Sequence, residues 1–527
     1  MYAIYWSTTA RILSRLFLSI PEFALALSFA ASAQTPPLIT GAASPAAEQP
    51  HYGNSIKFAG LVSFSGSNGN YPFGNLVQGF DGSLYGTTLF ANNYNGNLYS
   101  VSPTGTLDVI YNFCAQTNCA DGDFPSEGGL ALGVDGDIYG STESGGASTI
   151  SGPCAPYGCG TIFQITPGGA LTTLYNFCSQ PNCTDGDIDY GGLVRGADGN
   201  FYGTTPGQGF NDNPLCSGGL LGIGCGTVFK ITAEGAFTTI YSFCAQPNCT
   251  DGDTPNTGLV GGMDGNLYGI TSGGGANGDG TVFQISPGGM FTTLHSFDGT
   301  DGYCPYQCAP MVQSPSGNLY GTTTNGGANN DNGTVFQIGP GGVFTTIYNF
   351  CAQTNCADGN YPWALVYGAD GDLYGEATGG GEGFGLLYKL TPNGLLTTLH
   401  SFDGVNNQYP GGNQPFGLNQ ATNGTLYGVT AYGGLENDGT VFSLAVGLSP
   451  FVENVAGSGK VGAQVDILGN NMTDATSVSF NGTAAAFEVI SNSLISATVP
   501  VGATTGFTSV TISGKTLKSN MRFRVEH

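Results

Sequence analysis

One short signature occurs seven times in this chain and leaves few folds open. It reads DGSLYG at Asp81, DGDIYG at Asp135, DGNFYG at Asp198, DGNLYG at Asp264, SGNLYG at Ser316, DGDLYG at Asp370 and NGTLYG at Asn423, at spacings of 52 to 66 residues. A second run follows each copy: GNLYSV from Gly96, GTIFQI from Gly160, GTVFKI from Gly226, GTVFQI from Gly280 and Gly333, GLLYKL from Gly385, and GTVFSL from Gly439. A third, TTLYNF from Thr172 with relatives such as TTIYSF and TTLHSF, completes the unit. Each run is short, β-branched and aromatic, and is bounded by Gly, Pro, Asn or Asp, which is the strand signal. Adding the GLV-type run before each Asp-Gly gives four strands per unit. The Asp-Gly and Asn-Gly pairs predict type I′ hairpins, in which both central residues take positive φ.

Four antiparallel strands repeated seven times, with no helical period between them, predict a seven-bladed β-propeller. A linear solenoid is the competing reading, but its coils are nearer 20–30 residues and its ends need caps. The ends of the array argue for a ring. It opens on a lone strand of the third type, FAGLVSF from Phe58, and closes at 439–444 without one. The first strand is therefore expected to complete the last blade. With strands lettered a to d from the axis outward, TTLYNF is strand d, GLV strand a, LYGTT strand b and GTVFQI strand c. The b–c and d–a loops then share one face, and the tight a–b and c–d turns share the other.

All fourteen cysteines fall in loops of the first face. Cys114/Cys119, Cys178/Cys183, Cys244/Cys249, Cys304/Cys308 and Cys351/Cys356 sit in or beside d–a loops; Cys154/Cys159 and Cys216/Cys225 sit in enlarged b–c loops. The units at Phe64 and Phe402 lack both members of the CAQTNC pair together, which favours bonding within each pair. Each small closed loop is worth roughly 2 kcal/mol through restriction of the unfolded chain. The first 33 residues read as a secretory signal: Arg11 and Arg15, an apolar stretch broken by Pro21 and Glu22, then Ala31-Ser32-Ala33. Residues 34–50 read as a flexible lead-in, 51–447 as the propeller and 448–527 as a separate module. Disulfides fit an exported chain, and the expected location is secreted or cell-surface.

Charge narrows the partners. The chain holds 36 acidic against 11 basic residues, a formal net charge of −25. Between His51 and Gly447 the bases are Lys57, Arg195, Lys230 and Lys389 alone. Such a surface repels phosphate backbones and anionic lipid, so neither nucleic acid nor a membrane surface is an expected partner.

From Leu448 the repeats stop, and VDILG, SVSFNG, AAFEVI, LISATVP and FTSVTI read as the short strands of a small sandwich. GAQVDILGNNM, SVSFNGTAA and LISATVPVGATTGFTSVTI resemble an IPT/TIG immunoglobulin-like domain, which implies a binding or spacing module. The LYGTT…GG…GTVFQITPGG…TTLYNF unit resembles the Gloeo_Verruco (GloVer) tandem repeat of exported bacterial proteins. That resemblance brings no biochemical activity with it.

The candidate chemistry is sparse. His295 and His400 occupy a strand position that holds Tyr175, Tyr241 or Tyr348 elsewhere, so packing is the expected role; His51 and His527 lie near the ends. With no other histidine, neither a Ser-His-Asp triad nor a histidine metal centre is expected. Asp185, Asp187 and Asp189 alternate as oxygen ligands do around calcium, with a polar turn as the plain alternative. Glu376, at a position that holds Thr87, Thr204 or Thr322 in other copies, and Glu143 are the carboxylates a hydrolase or lyase would use. The preferred reading is binding of an extracellular glycan or surface protein on the long-loop face, without catalysis. Tyr157, Tyr190, Tyr303, Tyr306, Tyr361 and Trp363 are the aromatic candidates for contact; a structural surface protein without a small ligand is the remaining alternative.

Overall fold

The computed structural model describes residues 56–526 apart from 92–94, 148–153, 155–156, 188–189, 210–215, 217–223, 306 and 404–411. The signal segment, the lead-in, His51, Asp189, Tyr306 and His527 therefore lie outside the described residues. The described chain is β-strand and loop, with short 3-10 turns. Six blades form from consecutive strands; blade 1, for example, pairs Asn70–Gln78, Leu84–Phe90, Asn97–Val101 and Leu107–Asn112 in that order. The seventh joins Asn413–Gln420, Leu426–Tyr432 and Thr440–Ala445 to Lys57–Ser63.

The clasp between the chain ends is antiparallel, from Lys57 opposite Ala445 to Ser63 opposite Thr440. It carries the same one-residue irregularity as the c–d pair of every other blade: Leu61 is skipped here as Ile240 and Leu294 are skipped elsewhere. Phe58 also stacks on His400 of blade 6 at 3.8 Å, as Phe291 stacks on Tyr241 at 4.3 Å and Phe344 on His295 at 3.8 Å. The leading strand thus occupies the d position in pairing, bulge and ring contact alike.

The recurrent D-G-x-x-Y-G signature now has a physical cause. Asp135 Oδ1 accepts the Asp137 amide at 3.2 Å and Oδ2 accepts the Tyr139 hydroxyl at 2.7 Å. The same carboxylate–tyrosine bond recurs at Asp198/Tyr202, Asp264/Tyr268 and Asp370/Tyr374. The turns are not type I′: Gly136 has φ +83° and its equivalents are likewise positive, whereas the preceding Asp is not among the positive-φ residues. Having one positive-φ residue fits a longer turn closed by a glycine bulge, with the Asp carboxylate, rather than a second left-handed residue, holding the bend. The glycine after the tyrosine is set by packing. A Cβ on Gly269 would fall 2.5 Å from the Phe283 ring and one on Gly321 2.4 Å from the Phe336 ring. The buried aromatic of strand c therefore lies directly on the backbone of strand b.

All seven cysteine pairs are disulfides: Cys114–Cys119, Cys154–Cys159, Cys178–Cys183, Cys216–Cys225, Cys244–Cys249, Cys304–Cys308 and Cys351–Cys356. No cysteine is free. Most of the half-cystines in these rim loops are packed against the blades. Cys159, Cys183 and Cys308 are buried, as are Cys154, Cys216, Cys225, Cys244, Cys249 and Cys304. Cys154 and Cys159 pack with Tyr139, Ile162 and Phe177, and Cys304 and Cys308 with Phe297 and Met311. Sulfur is apolar, so a loop that folds back over the strand ends places its cystine in the core of the blade rather than in water.

Beside the disulfides a second carboxylate family organises the d–a loops. Asp251 is fully buried and accepts the Tyr241 hydroxyl at 2.7 Å and the amides of Ala245 and Gln246 at 2.9 and 3.2 Å. Asp121, Asp185 and Asp358 do the same with Tyr111, Tyr175 and Tyr348. In blade 4 His295 Nε2 takes the hydroxyl's place, 2.6 Å from Asp301. Tyr and His interchange at this position because both stack and both reach the loop carboxylate.

The C-terminal module is a two-sheet sandwich. Glu453–Asn454, Gln464–Leu468, Leu494–Thr498 and Phe487–Val489 form one sheet; Ser458–Lys460, Lys515–Glu526, Gly506–Ile512, Ala475–Phe480 and Thr483–Ala485 form the other. Val465, Ile467, Phe480, Val510 and Phe523 fill its core.

The loop carboxylates make a stability prediction. Asp251→Ala leaves two amides and a hydroxyl without their acceptor and should cost about 2–3 kcal/mol, whereas Tyr241→Phe removes one bond and should cost about 1 kcal/mol. Urea unfolding of the two variants reads the ratio; equal costs would mean that the loop is not built around the carboxylate.

Candidate functional site

Two surfaces of the ring qualify as sites, and the fold treats them differently. On the long-loop face, b–c glycines bond back to the cystine loops: Gly146, Gly275 and Gly381 donate to the carbonyls of Cys119, Cys249 and Cys356 at 2.9, 2.9 and 3.0 Å. This rim carries the sequence-predicted aromatics. Tyr157 is exposed at 51%, Tyr190, Tyr303 and Tyr361 are half-buried, and the Tyr303 hydroxyl donates to Asp331 at 3.3 Å. Trp363 corrects the expectation. It is buried, with Phe73 and Phe416 edge-on to it at 6.0 and 5.5 Å. Phe73 and Phe416 stack on each other at 4.3 Å. These three innermost-strand rings form an apolar cluster, so the indole offers no face to a sugar.

The predicted carboxylate sites resolve into separate structural roles. Both oxygens of Asp185 accept hydrogen bonds, from the Tyr175 hydroxyl and the amides of Ser179 and Gln180. Asp187 is buried beside Gln208, and burial pushes its carboxyl up to about 7. Among the described residues, the one group of three or more His, Cys, Asp or Glu with ligand atoms within 4.8 Å of one another is Cys216, Cys225, Cys244 and Cys249, two neighbouring disulfides.

Glu143 and Glu376 are both buried. Glu376 Oε1 accepts the amide of Gly417 on the innermost strand of blade 7, where the threonine at this position in blade 5, Thr322, donates to the Trp363 carbonyl. Burial pushes the Glu376 carboxyl up to about 8 against two backbone donors that pull it down.

The opposite, tight-turn face is covered by the C-terminal module. Phe451 N donates to Thr422 O at 3.0 Å, Ser493 Oγ to Phe80 O at 2.6 Å, Ser458 Oγ to Ala197 O at 2.9 Å and Arg524 Nη1 to Asp264 O at 3.0 Å. From the ring side, Arg195 Nη1 donates to Val455 O at 3.1 Å. These contacts reach blades 1, 3, 4 and 7. Between the module and the inner ends of the strands lies a cleft of about 450 Å³. Sequence reading missed it, because no motif records where one domain rests on another. The clustering of bases offered one signal: Arg195 is one of four in the whole propeller.

Glu376 generates a pH prediction. An acid with a raised folded pKa keeps a proton that the unfolded chain has lost, so its contribution to stability falls as pH rises from the ordinary glutamate range to about 8. Glu376→Gln keeps the acceptor for Gly417 and removes this dependence. Its melting point should fall less than that of the parent between pH 5 and 9, and the variant should be the more stable chain at pH 9, by up to about 4 kcal/mol. Parallel curves would refute the assignment. In the same melts, a midpoint that a chelator leaves unchanged would remove Asp185 and Asp187 as calcium ligands.

Comparison with known protein families agrees with this architecture. The model for the Gloeobacter/Verrucomicrobia repeat matches residues 51–220, 155–357 and 216–442, and that for the IPT/TIG domain matches 450–525. No curated protein matches the chain. Among solved structures, a provisionally assigned glucose-dehydrogenase-type oxidoreductase from Thermus thermophilus is 15% identical, with a TM-score of 0.37 over 74% of this chain and 100% of its own. A Bacteroides thetaiotaomicron protein of unknown function is 11% identical, with a TM-score of 0.38 over 74% of this chain and 76% of its own. By the span of the repeat match, the chain belongs to the Gloeobacter/Verrucomicrobia repeat family, and it ends in an IPT/TIG domain.

Proposed function

We propose that this is an exported, non-catalytic binding protein that engages an extracellular glycan through the long-loop rim of its propeller. One observation carries the reading: the module occupies the tight-turn face, which leaves the rim, among the described residues, as the side of the ring without a docked domain. Binding surfaces form on long loops held by a rigid frame, and here seven disulfides brace those loops. Tyr157 offers an exposed ring of the kind that packs on the apolar face of a sugar. Seven disulfides also fit an oxidising compartment, and no described helix is long and apolar enough to cross a membrane. The carboxylates a hydrolase would need, Glu143 and Glu376, are buried rather than displayed on the rim.

A glycan array followed by pull-down with cell-envelope polysaccharide tests this. Binding should appear and weaken severalfold in Tyr157→Ala, in line with about 1 kcal/mol for one aromatic contact. Retention of a surface protein with no glycan signal would replace the ligand class. Hydrolysis of a polysaccharide panel that is lost in Glu376→Gln or Glu143→Gln would replace the reading with an enzyme.

A further inference from the structure

We infer that the cleft between the ring and the Ig-like module is a second binding site, for a small polyhydroxylated carboxylate of the hexuronate class. Its charge is the first reason. Arg195, Arg522 and Arg524 line it together with Glu453, and Arg524 Nη2 is paired with Glu526 Oε1 at 3.0 Å. In a chain with 36 acids and 11 bases, three arginines around one cleft concentrate positive charge there and favour an anion.

Unmet hydrogen bonding is the second reason, and it is independent of the first. Arg195 Nε, Gln420 Nε2 and Asn454 Oδ1 are buried and have no hydrogen-bond partner among the described residues, and all three residues belong to the lining of this cleft. Two of them are held in place by their neighbours. Arg195 is fixed through Nη1 to Val455 O at 3.1 Å. Gln420 is 5% exposed, and its Oε1 accepts from Asn520 at 3.4 Å. Leaving such atoms unpaired costs the folded state their full desolvation. Two orphaned donors call for a ligand acceptor and the orphaned carbonyl for a ligand donor. A carboxylate answers the arginine, ring hydroxyl oxygens answer the amide, and a hydroxyl donor answers Asn454.

Size and the remaining lining complete the match. About 450 Å³ falls within the range of about 300–1,000 Å³ typical of small-molecule sites. Val312, Leu365 and Phe451 supply apolar wall beside the polar groups, as the C–H face of a pyranose requires. The site takes ligand groups from both domains, so the module is part of it rather than a spacer.

Calorimetry on the full chain with D-glucuronate and D-galacturonate, against D-glucose and D-glucitol, tests the inference. The uronates should bind at least tenfold more tightly than the neutral sugars. Arg195→Lys keeps the charge but loses the Nε–H and should weaken uronate binding about tenfold. Because Arg195 also touches Val455, Gln420→Met serves as a second variant, and it should weaken binding severalfold with a melting midpoint within about 2 °C of the parent. Tyr157→Ala should leave uronate affinity unchanged, which separates this site from the rim. No uronate binding, equal binding of neutral sugars, or affinity unmoved by both cleft variants would overturn it.

Discussion

The antiparallel pairing of Lys57–Ser63 with Thr440–Ala445 is the constraint on which the rest depends. Each blade buries its faces against its two neighbours, so an open array would leave two sheets half-naked. The clasp ties the ends together in one sheet, and side chains follow it. Ser63 Oγ accepts the amide of Leu435, 372 residues away in sequence, and Phe58 stacks on His400 of the blade before. A single seven-residue strand thereby makes the stability of blade 7 inseparable from that of blades 1 and 6.

Within the ring, buried carboxylates do locally what the clasp does globally. One aspartate in most blades holds the inner turn to a tyrosine of strand b; another, buried at the rim, collects a strand-d hydroxyl and two amides. Much of the acidic character of the chain is therefore structural. The disulfides sit in the same rim loops, where the polypeptide leaves the sheet and needs a covalent or ionic reason to keep one shape.

The two faces have opposite fates. The rim keeps its long loops, while the tight-turn face is short enough for the sandwich to lie against four blades and make a cleft with them. Trimming one face and extending the other is written in loop lengths, but its effect depends on which face the module covers. The module's arginines and Arg195 of the ring then meet in a protein that is otherwise strongly acidic.

Periodicity alone determined the number of blades, the strand order and the closing strand, and it favoured the cystine pairs of the CAQTNC type, because each is a property of one unit or of its repetition. Compensating losses between copies, such as the joint absence of both cysteines near Phe64 and Phe402, carried the pairing. Tertiary structure decided what depends on distant neighbours. It placed Trp363 among Phe73 and Phe416 instead of on the surface, and it buried Cys159, Cys183 and Cys308 within their loops. It gave the Asp-Gly turns one left-handed residue instead of two, drew Glu376 onto the backbone of the next blade, and set the module over the inner strand ends. A repeat reports the contacts that recur seven times; a contact made once, between residues hundreds of positions apart, leaves no period to read.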